Sequence, residues 1–186
     1  MYTTGRDSIK KTLKKVVGKA GMEQTYQKYR LLFHGSNQVV QKPELLSKGY
    51  TKDFGFGFYL TEIAAQAIKW AKTKSRRHGM PVLNVYQFDE AAFSKLNVLH
   101  FPEMTDEWLD FIVACRNGEK HDYDIVEGPM ANDEIYNYIT DYLNGTISRE
   151  SFWILIRFRY PTHQLVICTE QALNYLLFKE SSEVHE

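Results

Sequence analysis

The stretch "DFGFGFYLTEIAAQAIKWA", residues 53–71, constrains this chain more than any other. Gly55 and Gly57, one residue apart, let the backbone turn tightly, because glycine has no Cβ to oppose unusual dihedrals. They deliver the chain to Tyr59, whose ring offers a flat face for stacking. From there the pattern turns helical. Thr61 is placed as N-cap, and Ile63, Ala67, Trp70 and Ala71 recur at helical spacing. A tight turn, an aromatic and an amphipathic helix must therefore follow one another directly.

Upstream, "LLFHGSN" at 31–37 ends an apolar strand, residues 29–34, on a histidine and a glycine. A strand-end histidine can hydrogen-bond a ligand hydroxyl, and the bare Gly35 backbone can approach a planar ligand closely. Each residue also has a plain structural reading. His34 can simply satisfy its own strand end, and Tyr59 and Trp70 can belong to the core.

Residues 7–28 read as helix with a break near Gly18–Gly21, and Lys10, Lys11, Lys14, Lys15 and Lys19 give it a basic surface. That surface is a solvated face or a docking site for a partner. Residues 1–28 are taken as a basic helical extension and 29–186 as the main domain. Within that domain, 82–88 and 95–101 read as strands, with a turn at 78–81. Residues 106–118 read as a helix with Trp108, Phe111, Ile112 and Cys115 on one face. A short strand in 123–133 runs into a Gly-Pro loop. Residues 134–145 are read as a helix with the stripe Ile135, Tyr138, Ile139, Tyr142 and Leu143. Ser148 caps another through about residue 158. Residues 164–169 are an apolar strand, and 170–178 are read as a closing helix. Strands and helices mix without strict βαβ alternation, so the expected class is α+β, with a mainly antiparallel sheet and packed helices.

Composition matters here for what it excludes. The 23 basic and 23 acidic residues cancel, which removes the usual electrostatic argument for nucleic acid or a membrane surface. No apolar run approaches the roughly 18–20 residues that span a bilayer. The N-terminus has no apolar signal core, so a cytosolic site of folding is expected, with export by a machine that leaves no cleaved signal as the other route. Cys115 and Cys168 sit in apolar contexts and read as buried thiols. No histidine or cysteine pair has metal-ligand spacing, so no metal is expected. The glycines match neither the Walker nor the Rossmann pattern, and there is no GxSxG elbow.

Taken together, "LLFHGS", "FGFGFYLTEIAAQAIKWA" and "HQLVICT" resemble the ADP-ribosyltransferase family of the diphtheria-toxin and poly(ADP-ribose) polymerase type, with its His-Tyr-Glu triad. More closely, "DFGFGFYLT", "QAIKWA", "WLDFI", "YDIVEGPMAND" and "QLVICT" resemble a bacterial family catalogued as a domain of unknown function. That family is related to effector enzymes, toxin-like in action, that ADP-ribosylate a threonine of ubiquitin. The resemblance covers residues 30 to 178. It implies a split-sheet fold and NAD as co-substrate. The implied partner is a protein acceptor, ubiquitin among the candidates, reached in a host cytosol.

By the same resemblance, His34 and Ser36 belong to the strand-ending triad segment, with His34 on the adenosine ribose. The Gly35 backbone would hold the nicotinamide carboxamide. Gly57 and Tyr59 form the second segment, with Tyr59 stacked on nicotinamide. Trp70, eleven residues after Tyr59, matches a second stacking aromatic. Gln164 stands where the family has glutamate. An amide accepts the same hydrogen bond but brings no negative charge, a loss of roughly 10²–10³ in rate where such a term is well placed. Asp133 and Asp53 are candidates for a compensating acid, with capping by Asn132 and Asp133 and a turn at Asp53 as the plain readings. Arg116 and Arg76 are candidates for the pyrophosphate, with surface placement the plainer reading of both. The expectation is mono-ADP-ribosyl transfer. NAD hydrolysis, an inactive NAD-binding or protein-interaction module, and a transferase acting on nucleic acid remain as alternatives.

Overall fold

The computed structural model describes residues 28–45, 52–131, 133–157 and 162–185. The expected basic helix lies, Lys28 apart, outside them. In chain order the elements are β1 (Tyr29–Ser36), β2 (Phe58–Leu60), α1 (Ala64–Ser75), β3 (Val82–Asp89), α2 (Ala92–Lys95), β4 (Val98–His100), α3 (Asp106–Arg116), β5 (Ile125–Gly128), α4 (Asp133–Leu143), α5 (Arg149–Ile156), β6 (Gln164–Ile167), α6 (Glu170–Leu173) and β7 (Leu176–Glu183). The class is α+β. No helix among the described residues is long and apolar enough to cross a membrane.

The strands form two sheets, β1-β3-β7 and β2-β6-β5-β4. Pairing is antiparallel except for β4 with β5, which run parallel across the α3 crossover. Side chains alternate across a strand, so each face of the second sheet has its own core. Phe58, Leu60, Ile125, Leu165 and Ile167 point toward the first sheet and pack with Leu32, Tyr86 and Phe88. Val126, Val166 and Tyr59 point the other way, onto Trp108, Ile112, Ile135, Ile139 and Phe152 of α3, α4 and α5. Burying one such leucine or isoleucine stabilises the fold by roughly 1.5–3 kcal/mol.

Local sequence explains most boundaries. Thr105 caps α3 by accepting from the Trp108 amide, and Ser148 caps α5 by accepting from Ser151. Three expectations need correction. The closing helix ends at Leu173, and residues 176–183 form β7 against β3. Leu176 and Phe178 are half-buried while Leu177 is exposed, a period of two that suits a strand. Residues 92–95 form a single helical turn, so β4 is shorter than the strand expected at 95–101. Thr61 does not cap α1. The N-cap position falls to Ile63, while Thr61 extends β2, pairs with Phe33 and accepts the Ile63 amide through its hydroxyl at 3.0 Å.

Candidate functional site at the junction of the two sheets

The two sheets meet at one antiparallel pair. Phe33 donates its amide to the Thr61 carbonyl at 2.8 Å, and Thr61 donates back at 3.0 Å. Peptide groups alternate in direction along a strand, so a continued ladder would next join Gly35 to Tyr59 by two such bonds. It does not continue. His34 Nδ1 lies 2.7 Å from the Tyr59 carbonyl and takes it instead. The amide and carbonyl of Gly35 therefore face β2 with no strand partner there.

A carbonyl only accepts, so Nδ1 carries the proton and Nε2 is left as an acceptor in the neutral ring. The imidazole stacks on Phe58 at 4.5 Å between centroids. Burial pushes the His34 pKa below its ordinary value. The bond to Tyr59 opposes this, and Lys52 and Lys74 add to it. A neutral His34 follows at neutral pH.

Gly35 is glycine for a steric reason. A Cβ there would stand 1.9 Å from the Ala67 carbonyl oxygen and 2.7 Å from the Ala71 amide, so α1 rides directly on the strand backbone. Gly57 faces the same constraint, with a Cβ position 2.5 Å from the Ile167 carbonyl oxygen. That contact presses the "GFGF" turn onto β6. The turn then holds Tyr59, whose hydroxyl donates to the Gly55 carbonyl at 2.7 Å and accepts from the Phe54 amide at 3.2 Å. Burial raises the phenol's pKa well above its ordinary value, so the group stays protonated. Lys52 Nζ lies 4.4 Å from the Tyr59 ring centroid, over its face.

Gln164 opens β6 and is buried. Tyr59 pairs with Val166, so Gln164 shares a sheet face with Tyr59 and lies diagonal to it. Its Nε2 donates to the Pro129 carbonyl at 3.3 Å, which fixes the amide orientation and turns Oε1 away from that carbonyl. Ser36 closes β1 opposite Val82. Trp70 is 41% exposed, so α1 buries Ala67 and Ala71 rather than Trp70, against the core reading. Asp133 is the first residue of α4; its side chain, and Asn132, lie outside the described residues.

Asp53 is engaged on both oxygens. Arg116 Nη2 and Nε donate to Oδ1 at 2.5 and 3.2 Å, and the Ala131 amide donates to Oδ2 at 3.1 Å. Arg116 is correspondingly buried, not on the surface and not free for a pyrophosphate. Arg76 is exposed, as expected.

Sequence reading missed a second polar cluster on the inter-sheet side. Arg30 Nη1 reaches Glu127 and Glu62, each at 2.6 Å, and its Nε lies 2.9 Å from Glu90 without hydrogen-bond geometry. His163 Nε2 lies 2.9 Å from Glu127, and its Nδ1 accepts the Glu62 amide at 3.0 Å. Burial opposes ionisation of Glu127, but hydrogen bonds from His163 and Arg30 outweigh it and bring its pKa down to about 2. A charged residue in each of two short apolar strands, "YRLLF" and "DIVEG", was the available signal. The cluster lines a cavity of about 710 Å³.

Glu62, Glu127 and His163 place three ligand-type atoms within 4.8 Å of one another. Arg30 already occupies both carboxylates. A metal on Nε2 would also require the ring proton to move to Nδ1, where the Glu62 amide donates. The arrangement is a closed ion network.

A second cavity, about 390 Å³, is lined by Gly55, Cys115, His121, Tyr123, Cys168 and others. Burial pushes both thiols up to about 12, so they are protonated and unreactive. Neither cavity is lined by His34, Tyr59 or Gln164.

No curated protein and no solved structure gives a significant match to this chain. A family model described as a protein of unknown function, DUF3990, matches residues 30–178, a span from β1 into β7 that contains every candidate site residue. The chain therefore belongs to the DUF3990 family.

Proposed function

We propose that this protein is a mono-ADP-ribosyltransferase that cleaves NAD at the nicotinamide–ribose bond and transfers ADP-ribose to a protein hydroxyl. The observation that carries the reading is the interrupted β1–β2 ladder. It leaves one donor and one acceptor of Gly35 side by side, the complement of a carboxamide, next to His34, which holds the Tyr59 carbonyl through Nδ1 and keeps Nε2 as an acceptor.

In this account the Gly35 amide and carbonyl hold the carboxamide, the Tyr59 face carries the pyridinium ring, and Nε2 of His34 accepts a ribose hydroxyl. Gln164 Oε1 accepts a hydrogen bond from the nicotinamide-side ribose as C1′ becomes cationic. As the C1′–N bond breaks, its electron pair passes to the ring nitrogen. The acceptor oxygen bonds C1′ and its proton passes to solvent. With no carboxylate at position 164, transfer of a single unit rather than polymer growth is expected. The resemblance of the sequence makes a threonine of ubiquitin the first acceptor to test.

The uncharged, carbonyl-bound Gln164 favours a second reading, an NAD-binding module without turnover. Intact-mass analysis of ubiquitin and of a cell lysate after incubation with protein and NAD separates the two. A mass increment of one ADP-ribose supports the transferase. NAD binding without any increment or nicotinamide release supports the module.

A further inference from the structure

Lys52 stands on the face of Tyr59 where the preceding reading, on which this inference rests, places nicotinamide. Among the described residues no carboxylate forms an ion pair with it. Asp53, its neighbour in sequence, is consumed by Arg116 and the Ala131 amide. Lys74, from the last turn of α1, is a second cation felt by both Lys52 and His34. One ammonium thus rests on the Tyr59 face, and a second cation, Lys74, lies close enough to repel it.

Two ligands compete for that surface in different ways. The nicotinamide ring of NAD is a cation and is tethered to a dianionic pyrophosphate. Free nicotinamide, the product, is neutral and has no phosphate. An ammonium on an aromatic face must leave for either ring to stack. When NAD arrives, the displaced ammonium can swing on its flexible stem to the pyrophosphate and form a charge-assisted hydrogen bond. When nicotinamide arrives alone, the ammonium gains nothing for leaving.

We propose that Lys52 is a specificity-determining residue that exchanges the Tyr59 face for the NAD pyrophosphate, so that the site favours the charged dinucleotide over the neutral nicotinamide it releases. The residue also helps product leave. Once the glycosidic bond has broken and its electron pair has neutralised the ring, Lys52 competes for the face again.

Calorimetric titration of wild type, Lys52→Met and Lys52→Arg with NAD and, separately, with nicotinamide tests this. Lys52 is exposed, so both variants are expected to fold, and thermal unfolding checks that. In Lys52→Met, nicotinamide should bind more tightly and NAD more weakly. Their Kd ratio should shift by about tenfold or more against NAD, with Lys52→Arg close to wild type. If wild type binds NAD but the ratio in Lys52→Met is unchanged, or both affinities move by one factor, the Lys52 assignment is wrong and the NAD reading stands. If wild type binds no NAD, both fall together.

Discussion

His34 donates from Nδ1 to the main-chain carbonyl of Tyr59 across 2.7 Å, joining the two sheets where their backbone ladder stops. One imidazole thus ends a ladder, orients itself and frees the Gly35 peptide. Replacing His34 with alanine should leave the Tyr59 carbonyl unsatisfied and cost about 1–3 kcal/mol in urea unfolding. Nicotinamide release should fall by roughly 10²-fold or more. The two readouts separate structure from chemistry, because a purely structural histidine would lower stability alone.

The pH profile follows from the same group. Folding depresses the His34 pKa, so the folded protein binds fewer protons than the unfolded chain below the ordinary value of 6.5. Stability from this group is complete above that value and declines as pH falls below it. The proposed reaction requires Nε2 unprotonated, so kcat/KM for nicotinamide release should stay level from pH 8 to near 6.5 and fall only at lower pH. A profile rising through pH 7 would contradict a depressed pKa.

Glu127 predicts acid sensitivity. Its carboxyl moves from 4.5 in the unfolded chain to about 2 in the fold. The associated stability, on the order of 3 kcal/mol, is present above the unfolded value and disappears as pH falls through about 2. Glu127→Gln should lower stability at pH 7 by a similar amount and flatten the loss between pH 5 and 2. Urea melts at both pH values measure it.

Gln164→Glu should not rescue the missing charge. The side chain is buried and faces the Pro129 carbonyl, so a carboxylate there sets two acceptors against each other. Its pKa should be raised, leaving the folded state favoured when the acid is protonated. The variant should match wild type near pH 4 and lose roughly 1–3 kcal/mol relative to it by pH 8. Equal stability at both pH values would place position 164 in a solvated setting.

Gly35→Ala should unfold the junction. A methyl 1.9 Å from a helix carbonyl oxygen cannot be accommodated by a side-chain rotation, so α1 must move as a unit. The loss should exceed the roughly 1–3 kcal/mol typical of overpacking. Thermal unfolding by circular dichroism is sufficient to see it.

Local signals in the sequence reached some of this and not the rest. The "GFGF" turn, Tyr59 and the strand-end His34 stand out because glycine and aromatic chemistry is legible one residue at a time. The α+β class followed from the mixed periodicities. β7 was hidden because its alternation spans only Leu176–Phe178 before polar residues begin, and a short helix precedes it. Arg30 and Glu127 lie 97 positions apart in sequence, so no local pattern could pair them. Trp70 fits the apolar stripe of α1, yet the close ride of that helix on Gly35 admits only Ala67 and Ala71 beneath it. Arg116 has a helix-end address typical of the surface, and only the fold brings Asp53 beneath it.

In the proposed reaction the His34–Tyr59 junction binds and cleaves NAD. The most direct measurement is nicotinamide release from NAD by the purified protein, with ubiquitin and lysate supplied as acceptors, alongside His34→Ala and Tyr59→Ala. Wild type should release nicotinamide, and both variants should fall by roughly 10²-fold or more. Background release by wild type, or wild-type rates in folded variants, would contradict the proposed reaction.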